Sequence, residues 1–300
     1  MVCSGLKVAV ATYNLYWWCV SDKFGNCPQF AYGRGFQQLY QRIASNPVDL
    51  FGFQECDDVE QVMAGAGLAN FGYYSTPGGN DAPMAWSWDR FKVVEGPASE
   101  WITQDTYSSR WLNWVRLQEH SSNTIVFFAN THGPLGQCAG ERGQQVADAY
   151  MRSMWKHIKK NDVVIFTGDF NCRIWDQTLI SLREGLQDTA WDNVFQAADH
   201  IFTSHGVGLC SQESILGAPS DHQFLKAVLL PHGGPKPPPV PNHNATKPAA
   251  HDCPKAPSNG PCCHHCKSNR FCPGDKGCYA DGQPGCATET CAPNSAELLL

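Results

Sequence analysis

Residues 163–171 read VVIFTGDFN: five β-branched or aromatic residues in a row, then Gly168, then the acid Asp169, Phe170 and Asn171. A continuous apolar run of that length, closed by a turn signal, reads as a strand buried on both faces. An Asp standing where such a strand should simply turn is not there to pack. The same construction recurs along the chain. VAVATY (8–13) ends in Asn14, LFGFQ (50–54) in Glu55, and IVFFAN (125–130) in Thr131 and His132. Asp199–His200 opens a short run that ends IFT (201–203), and Ser220–Asp221–His222 stands just before FLKAVL (224–229). Further strand-like runs lie at 84–88 and 111–117, and helical periodicity predicts helices over 36–44, 59–66, 142–158 and 179–184. Strands interleaved with helices predict sheets covered by helices, an α/β sandwich, with no internal repeat.

Strand ends in parallel or mixed sheets gather along one rim, where ligands commonly bind. The rim residues here are four carboxylates (Glu55, Asp169, Asp199, Asp221), two amides (Asn14, Asn171) and two histidines (His132, His222). Singly, each reads equally well as a turn former, a helix cap or a satisfied core histidine. As a set they are oxygen-rich, and oxygen donors suit a hard cation such as Mg²⁺, which keeps waters and meets substrate phosphate through one or two carboxylates.

Asn14, Gln54–Glu55, Thr131–His132, Gly168–Asp169–Phe170–Asn171, Asp199–His200–Ile201–Phe202 and Ser220–Asp221–His222, in that order, resemble the endonuclease/exonuclease/phosphatase superfamily typified by pancreatic-type deoxyribonuclease, over about residues 6–230. The resemblance implies a four-layer α/β sandwich of two packed mixed β-sheets flanked by helices, and metal-dependent hydrolysis of a phosphoester. It implies Glu55 as the principal Mg²⁺ or Mn²⁺ ligand, with Asn14 and Asp221 nearby. Asp169 would orient or deprotonate the attacking water, and Asn171 would hold a phosphate oxygen. Asp199 would fix the tautomer of His222, whose other nitrogen faces the phosphate, with His132 as the second histidine there. Arg142 and Gln145 also match, as supporting structure. Three departures concern substrate choice. The stretch DAPMAWSWD (81–89) has no clear acid to support His132, Asp81 being the stand-in. Ala198–Asp199–His200–Ile201 replaces the Trp–Cys–Asp–Arg signature of the inositol 5-phosphatase branch. The loop GPLGQCAGERG (133–143) is Gly-rich and contains Cys138.

The expected substrate is a phosphodiester in DNA or RNA. The alternatives are a sphingomyelin-type phospholipid head group or a phosphomonoester, or, in another class, an extracellular binding protein with a degenerate catalytic domain. With 22 Lys plus Arg against 28 Asp plus Glu, the chain carries −6 and has no basic stripe for non-specific nucleic-acid packaging. The segments Tyr16–Trp17–Trp18 and Trp111 to Trp114 read as core, or as a platform for bases or lipid, and KHIKK (156–160) as a solvated helix end.

Six prolines in PHGGPKPPPVP (231–241) break the chain. The expected organisation is a catalytic domain over 1–230, a Pro-rich linker over 231–252 and a Cys-rich module over 253–300. The module's eight cysteines among Gly and Pro read as disulfides in place of a core, in preference to a Zn²⁺ site at Cys262–Cys263–His264–His265–Cys266, and the module as a stabilising appendage or as the binder of an extracellular partner or surface. Of the seven cysteines in the body, Cys19 is expected to pair with Cys27 and Cys172 with Cys210, leaving at least one thiol free. Fifteen cysteines in 300 residues, and an Asn244–Ala245–Thr246 acceptor, place the protein in an oxidising, extracellular compartment, although no leader precedes the first strand. No run approaches the roughly 18 to 20 apolar residues of a membrane-spanning helix.

Overall fold

The computed structural model describes residues 3–22, 25, 27–77 and 79–232, and of residues 79–81 only the backbone. The Cys-rich module and all of the linker beyond His232 lie outside the described residues, as does the side chain of Asp81.

Strands β1 (Val8–Asn14), β2 (Leu50–Gln54), β3 (Phe71–Thr76), β4 (Gly79–Ser87), β11 (Gly208–Ile215) and β12 (Phe224–Leu230) form one sheet in the order β11-β12-β1-β2-β4-β3. Strands β5 (Phe91–Gln104), β6 (Ser109–Glu119), β7 (Ile125–His132), β8 (Val163–Asp169), β9 (Gln187–Trp191) and β10 (Asp199–Thr203) form the other, in the order β5-β6-β7-β8-β10-β9. Each sheet has one parallel pair near its centre, β1 with β2 and β7 with β8, flanked by antiparallel neighbours. Helices α1 (Trp17–Val20), α2 (Arg34–Ala44) and α3 (Val59–Gly65) cover the first sheet, sharing a core with Phe51 and Phe53. Helices α4 (Gly140–Trp155) and α5 (Gln177–Gly185) cover the second, packing on Phe127 and Phe166. A third core, with Val10, Leu50, Phe128 and Ile165, fills the space between the sheets. The four-layer α/β sandwich is therefore the fold, and β1 lies against β8 at its centre. Among the described residues no helix is long and apolar enough to cross a membrane.

Between the sheets the apolar filling gives way, one turn of the pleat below the rim, to a buried polar layer. Gln54 donates to Asn130 Oδ1 at 2.8 Å, Thr167 to the same oxygen at 2.9 Å, and Asn130 donates to the carbonyls of Phe53 and Pro83 at 2.7 and 2.9 Å. Thr12 completes the set through Gln54 at 3.1 Å. Room for it is made by Gly52, where a Cβ would stand 2.1 Å from Thr167 Oγ1. A satisfied buried network of this kind fixes one alignment of the two sheets, because any slip would leave its members unpaired in a low-dielectric interior. Side chains alternate faces along a strand, so the residues two further on, Asn14, His132 and Asp169, point the same way at the rim.

The sequence reading missed β3, β5, β9, β11 and α1. Strand β5 hides because its pairing with β6 shifts register at three places and Gly96–Pro97 interrupts it. Strand β11 (GLCSQESI) is an edge strand with a mostly exposed middle, so it lacks the apolar run that marks the others. Cys19 pairs with Cys27 as expected, and among the described residues Cys56 is the free thiol, buried. The expected Cys172–Cys210 pairing is corrected: Cys172 bonds Cys138, and Cys210 bonds Cys3. The chain leaving β7 and the chain leaving β8 run side by side at the rim, whereas Cys210 sits on the outer strand of the opposite sheet.

Candidate active site

Register alone brings the central groups together. In the second sheet Asp169 of β8 pairs across with His132 of β7 and with Asp199 of β10, and in the first Asn14 pairs with Gln54. Across the sheets Asn14 Nδ2 donates to Asp169 Oδ2 at 3.0 Å and to Glu55 Oε1 at 3.2 Å. The Nε2 atoms of His132 and His222 each lie 3.6 Å from Asp169 Oδ2. That is too long for a direct hydrogen bond, and it sets both imidazoles beside one carboxylate oxygen. His222 is anchored from behind by Nδ1 to Asp199 Oδ2 at 2.7 Å, and from below by its backbone N–H to Ser220 Oγ at 3.0 Å. Ser220 in turn donates to the carbonyl of Asn14 at 2.6 Å.

The electrostatics follow from these contacts. Burial alone would raise Asp169, but the neighbouring His222 and His132, with hydrogen bonds from Asn14 and the Asn171 N–H, hold its carboxyl below the usual carboxylate range. Burial would equally strip His222 of its proton, yet the charges of Asp199 and Asp169 raise it well above the usual histidine range. At neutral pH the site thus holds an ionised Asp169 beside an imidazolium, a proton acceptor and a proton donor side by side.

Two expected residues are turned otherwise than the family resemblance implies. Asn14 presents its amide nitrogen to Glu55 and Asp169 while its oxygen accepts the Tyr16 N–H at 2.9 Å, so it bridges the carboxylates as a donor. Asn171 gives its backbone N–H to Asp169 Oδ1 at 2.8 Å and its side-chain amide to the Gly133 carbonyl at 2.9 Å, clamping two rim loops together. Asp221, though exposed as a residue, has its carboxyl pushed up to about 6 by withdrawal from water and by the charges of Glu55 and Asp169, against the pull of His222. Carboxylates crowded in this way beside a carboxamide fit a hard divalent cation, with Glu55 and Asp221 supplying oxygens. Asp169, Asp199 and His222 also bring one ligand atom each within 4.8 Å of one another. There, however, Nδ1 of His222 and Oδ2 of Asp199 are already engaged with each other at 2.7 Å.

Two neighbours went unseen in the sequence. Asp192 lies behind Asp199; burial, then the charge of Asp199 and a hydrogen bond to it, push its carboxyl up to about 9, so it stands as a neutral acid. Phe195 packs on His222 with ring centroids 4.7 Å apart. Neither stands at a predicted strand end or in a recognised motif. Strain also marks the rim: Tyr16, Glu55, Asn171, Phe195, Gln196 and Ala197 all have positive φ, between 46° and 65°, in the left-handed region.

Fold and site together define a phosphoester hydrolase of the two-sheet sandwich class. Residues 26–222 match the Endonuclease/Exonuclease/phosphatase family, and the chain belongs to it. An endonuclease/exonuclease/phosphatase from Bacteroides vulgatus shares the fold with a TM-score of 0.63 at 20% identity, over 75% of this chain and 99% of that one. A mannosyl-6-phosphatase from Bacteroides thetaiotaomicron does so at 0.60 and 21%, over 74% and 99%. The 2′,3′-cyclic phosphatase ANGEL2, in complex with adenosine-2′,3′-vanadate, does so at 0.58 and 15%, over 75% and 95%. No curated protein matches the chain.

Proposed function

We propose that this protein is an extracellular, Mg²⁺- or Mn²⁺-dependent phosphodiesterase that cuts nucleic acid. The observation that carries the reading is the pair of imidazole Nε2 atoms, each 3.6 Å from the one Asp169 oxygen. Asp169 accepts a proton from the attacking water as the water oxygen forms its bond to phosphorus. The bond from phosphorus to the leaving oxygen breaks on the far side, and that oxygen takes its proton from solvent while Asp169 returns the one it accepted. His132 and His222 donate Nε2–H to the non-bridging oxygens, and Asp199 keeps His222 aimed and charged. Glu55 and Asp221 would hold a divalent cation, which would further neutralise the phosphoryl charge. Positioning and electrostatics account for the rate, with no covalent intermediate required of the protein. Three disulfides among the described residues support the oxidising compartment.

The test is nicking of supercoiled plasmid by the intact protein in Mg²⁺, with EDTA and Asp169→Ala as controls. Nicking is expected, lost with EDTA, and reduced at least about a hundredfold by the substitution, in line with loss of a general base. Phosphate release from monoesters without any nicking would instead establish a phosphomonoesterase, and hydrolysis of neither by the folded protein would return weight to a binding role.

A further inference from the structure

Phe195 occupies an unusual position for a half-exposed aromatic residue. Its ring lies against His222, whose Nε2 is 3.6 Å from Asp169 Oδ2, and 46% of the residue's surface is open to solvent. An exposed phenylalanine is commonplace, but not one whose backbone is left-handed, with φ 48° and ψ 33°, and followed by two more residues in the same region, Gln196 at φ 64° and Ala197 at φ 65°. Residues other than glycine meet this conformation at a cost, and it persists only where the surroundings impose it. Here they do. The segment is pinned by Val194 N–H to Asp192 Oδ1 at 3.1 Å, Ile174 N–H to the Gln196 carbonyl at 3.0 Å, His200 Nε2 to the Ala197 carbonyl at 2.8 Å, and Phe170 N–H to the Ala198 carbonyl at 2.8 Å. The strain and the pins act together to hold an apolar ring open to water at the mouth of a polar site.

Resting on the hydrolase reading above, the geometry points to Phe195 as a specificity residue that stacks a flat aromatic ring of nucleobase size carried by the substrate next to its scissile phosphate. A base has a π-face to lay on Phe195 whatever its identity, so stacking selects for a ring without selecting a sequence. The immediate neighbours favour a base over an acyl chain. Asn193 and Gln196 flank Phe195 and are exposed, and carboxamides match the paired donor and acceptor edges of bases. A lipid chain would need a continuous apolar surface where these amides stand. A quaternary ammonium head group is usually taken by a cage of several aromatic faces.

The test uses full-length protein carrying Asp169→Asn to stop turnover, and reads affinities for adenosine 5′-monophosphate, ribose 5-phosphate and phosphocholine by calorimetry in Mg²⁺ buffer. The nucleotide is expected to bind about tenfold more tightly than the sugar phosphate. Phe195→Leu, which keeps apolar packing on His222 without the flat face, should shrink that preference to less than about threefold while ribose 5-phosphate moves little, and Phe195→Trp should restore it. Equal binding of nucleotide and sugar phosphate overturns the inference. So does an equal loss of both in Phe195→Leu, which would make Phe195 only a buttress for His222, and so does phosphocholine binding most tightly. If Phe195→Leu fails to fold by circular dichroism, the Trp variant decides: loss of ring preference there is equally fatal. A Phe195-dependent preference for the ring in a protein that hydrolyses no phosphoester would overturn the hydrolase reading and leave the stacking site standing.

Discussion

Asp192 and Asp199 pose a single problem at the back of the site: both are buried, and Oδ2 of Asp192 and Oδ1 of Asp199 are satisfied only if one of the two acids keeps a proton to share. Two buried carboxylates facing one another would repel strongly, and the proton retained by Asp192 up to about pH 9 resolves it. Protonated, Asp192 donates to Asp199, which stays ionised and keeps its other oxygen on His222. Asp192→Asn offers an amide donor in the same place and should keep turnover within about threefold, while Asp192→Ala strips Asp199 of that donor and should lose about tenfold or more in kcat, the worth of a hydrogen bond to a charged group. The sign of the pH effect follows. Ionising Asp192 at alkaline pH adds a second negative charge behind Asp199, so the wild-type rate should fall as pH passes about 9, and Asp192→Asn should lack that limb. An alkaline limb of unchanged position in Asp192→Asn would assign it to another group. At this scale the residues that the structure gathers at the rim were legible, because each breaks the logic of a buried strand by ending it in a polar group. Asp192 and Phe195 were not: one matters through a shared proton and the other through a backbone conformation, and neither property is written in residue type or spacing.

The loop leaving β7 starts directly after His132 and the loop leaving β8 carries Asn171, and the Cys138–Cys172 bond ties the two together, closing a separation of 34 residues. Asn171 reinforces the tie through Gly133. Removing a cross-link of that span is expected to cost about 3 to 4 kcal/mol by releasing the unfolded chain. Cys138→Ser with Cys172→Ser should therefore lower the midpoint of chemical unfolding, and it should also slow hydrolysis, since Asn171 supplies the backbone N–H that fixes Asp169. A variant that loses stability but keeps full kcat would show that Gly133 and Asn171 hold the loops without the bond. Strands were legible here in proportion to their burial. The runs of β1, β2, β7 and β8 carry almost no exposed residue and stood out, whereas β11, half exposed, and β5, bent by bulges, are shaped by tertiary pairing that periodicity does not record.

For the whole molecule, charge decides how a nucleic acid would be held. A net charge of −6 gives no overall attraction to a polyanion, so on the proposed reading affinity would come from the reacting phosphate, its counter-charges at the rim and the ring on Phe195. Enzymes that grip six to ten phosphates release as many counterions and lose roughly a thousandfold or more in affinity between 50 and 200 mM salt. On the proposed reading, contact with one or two phosphates should cost less than about tenfold in kcat/KM on plasmid over the same range. Measuring initial nicking rates against NaCl at subsaturating DNA checks this directly. A steep slope would mean that basic residues are concentrated along a track the net charge conceals, and recognition would then be of the backbone. A shallow one would place selectivity in the few ångströms around Asp169, where a short substrate and a long one should be cut with nearly the same efficiency.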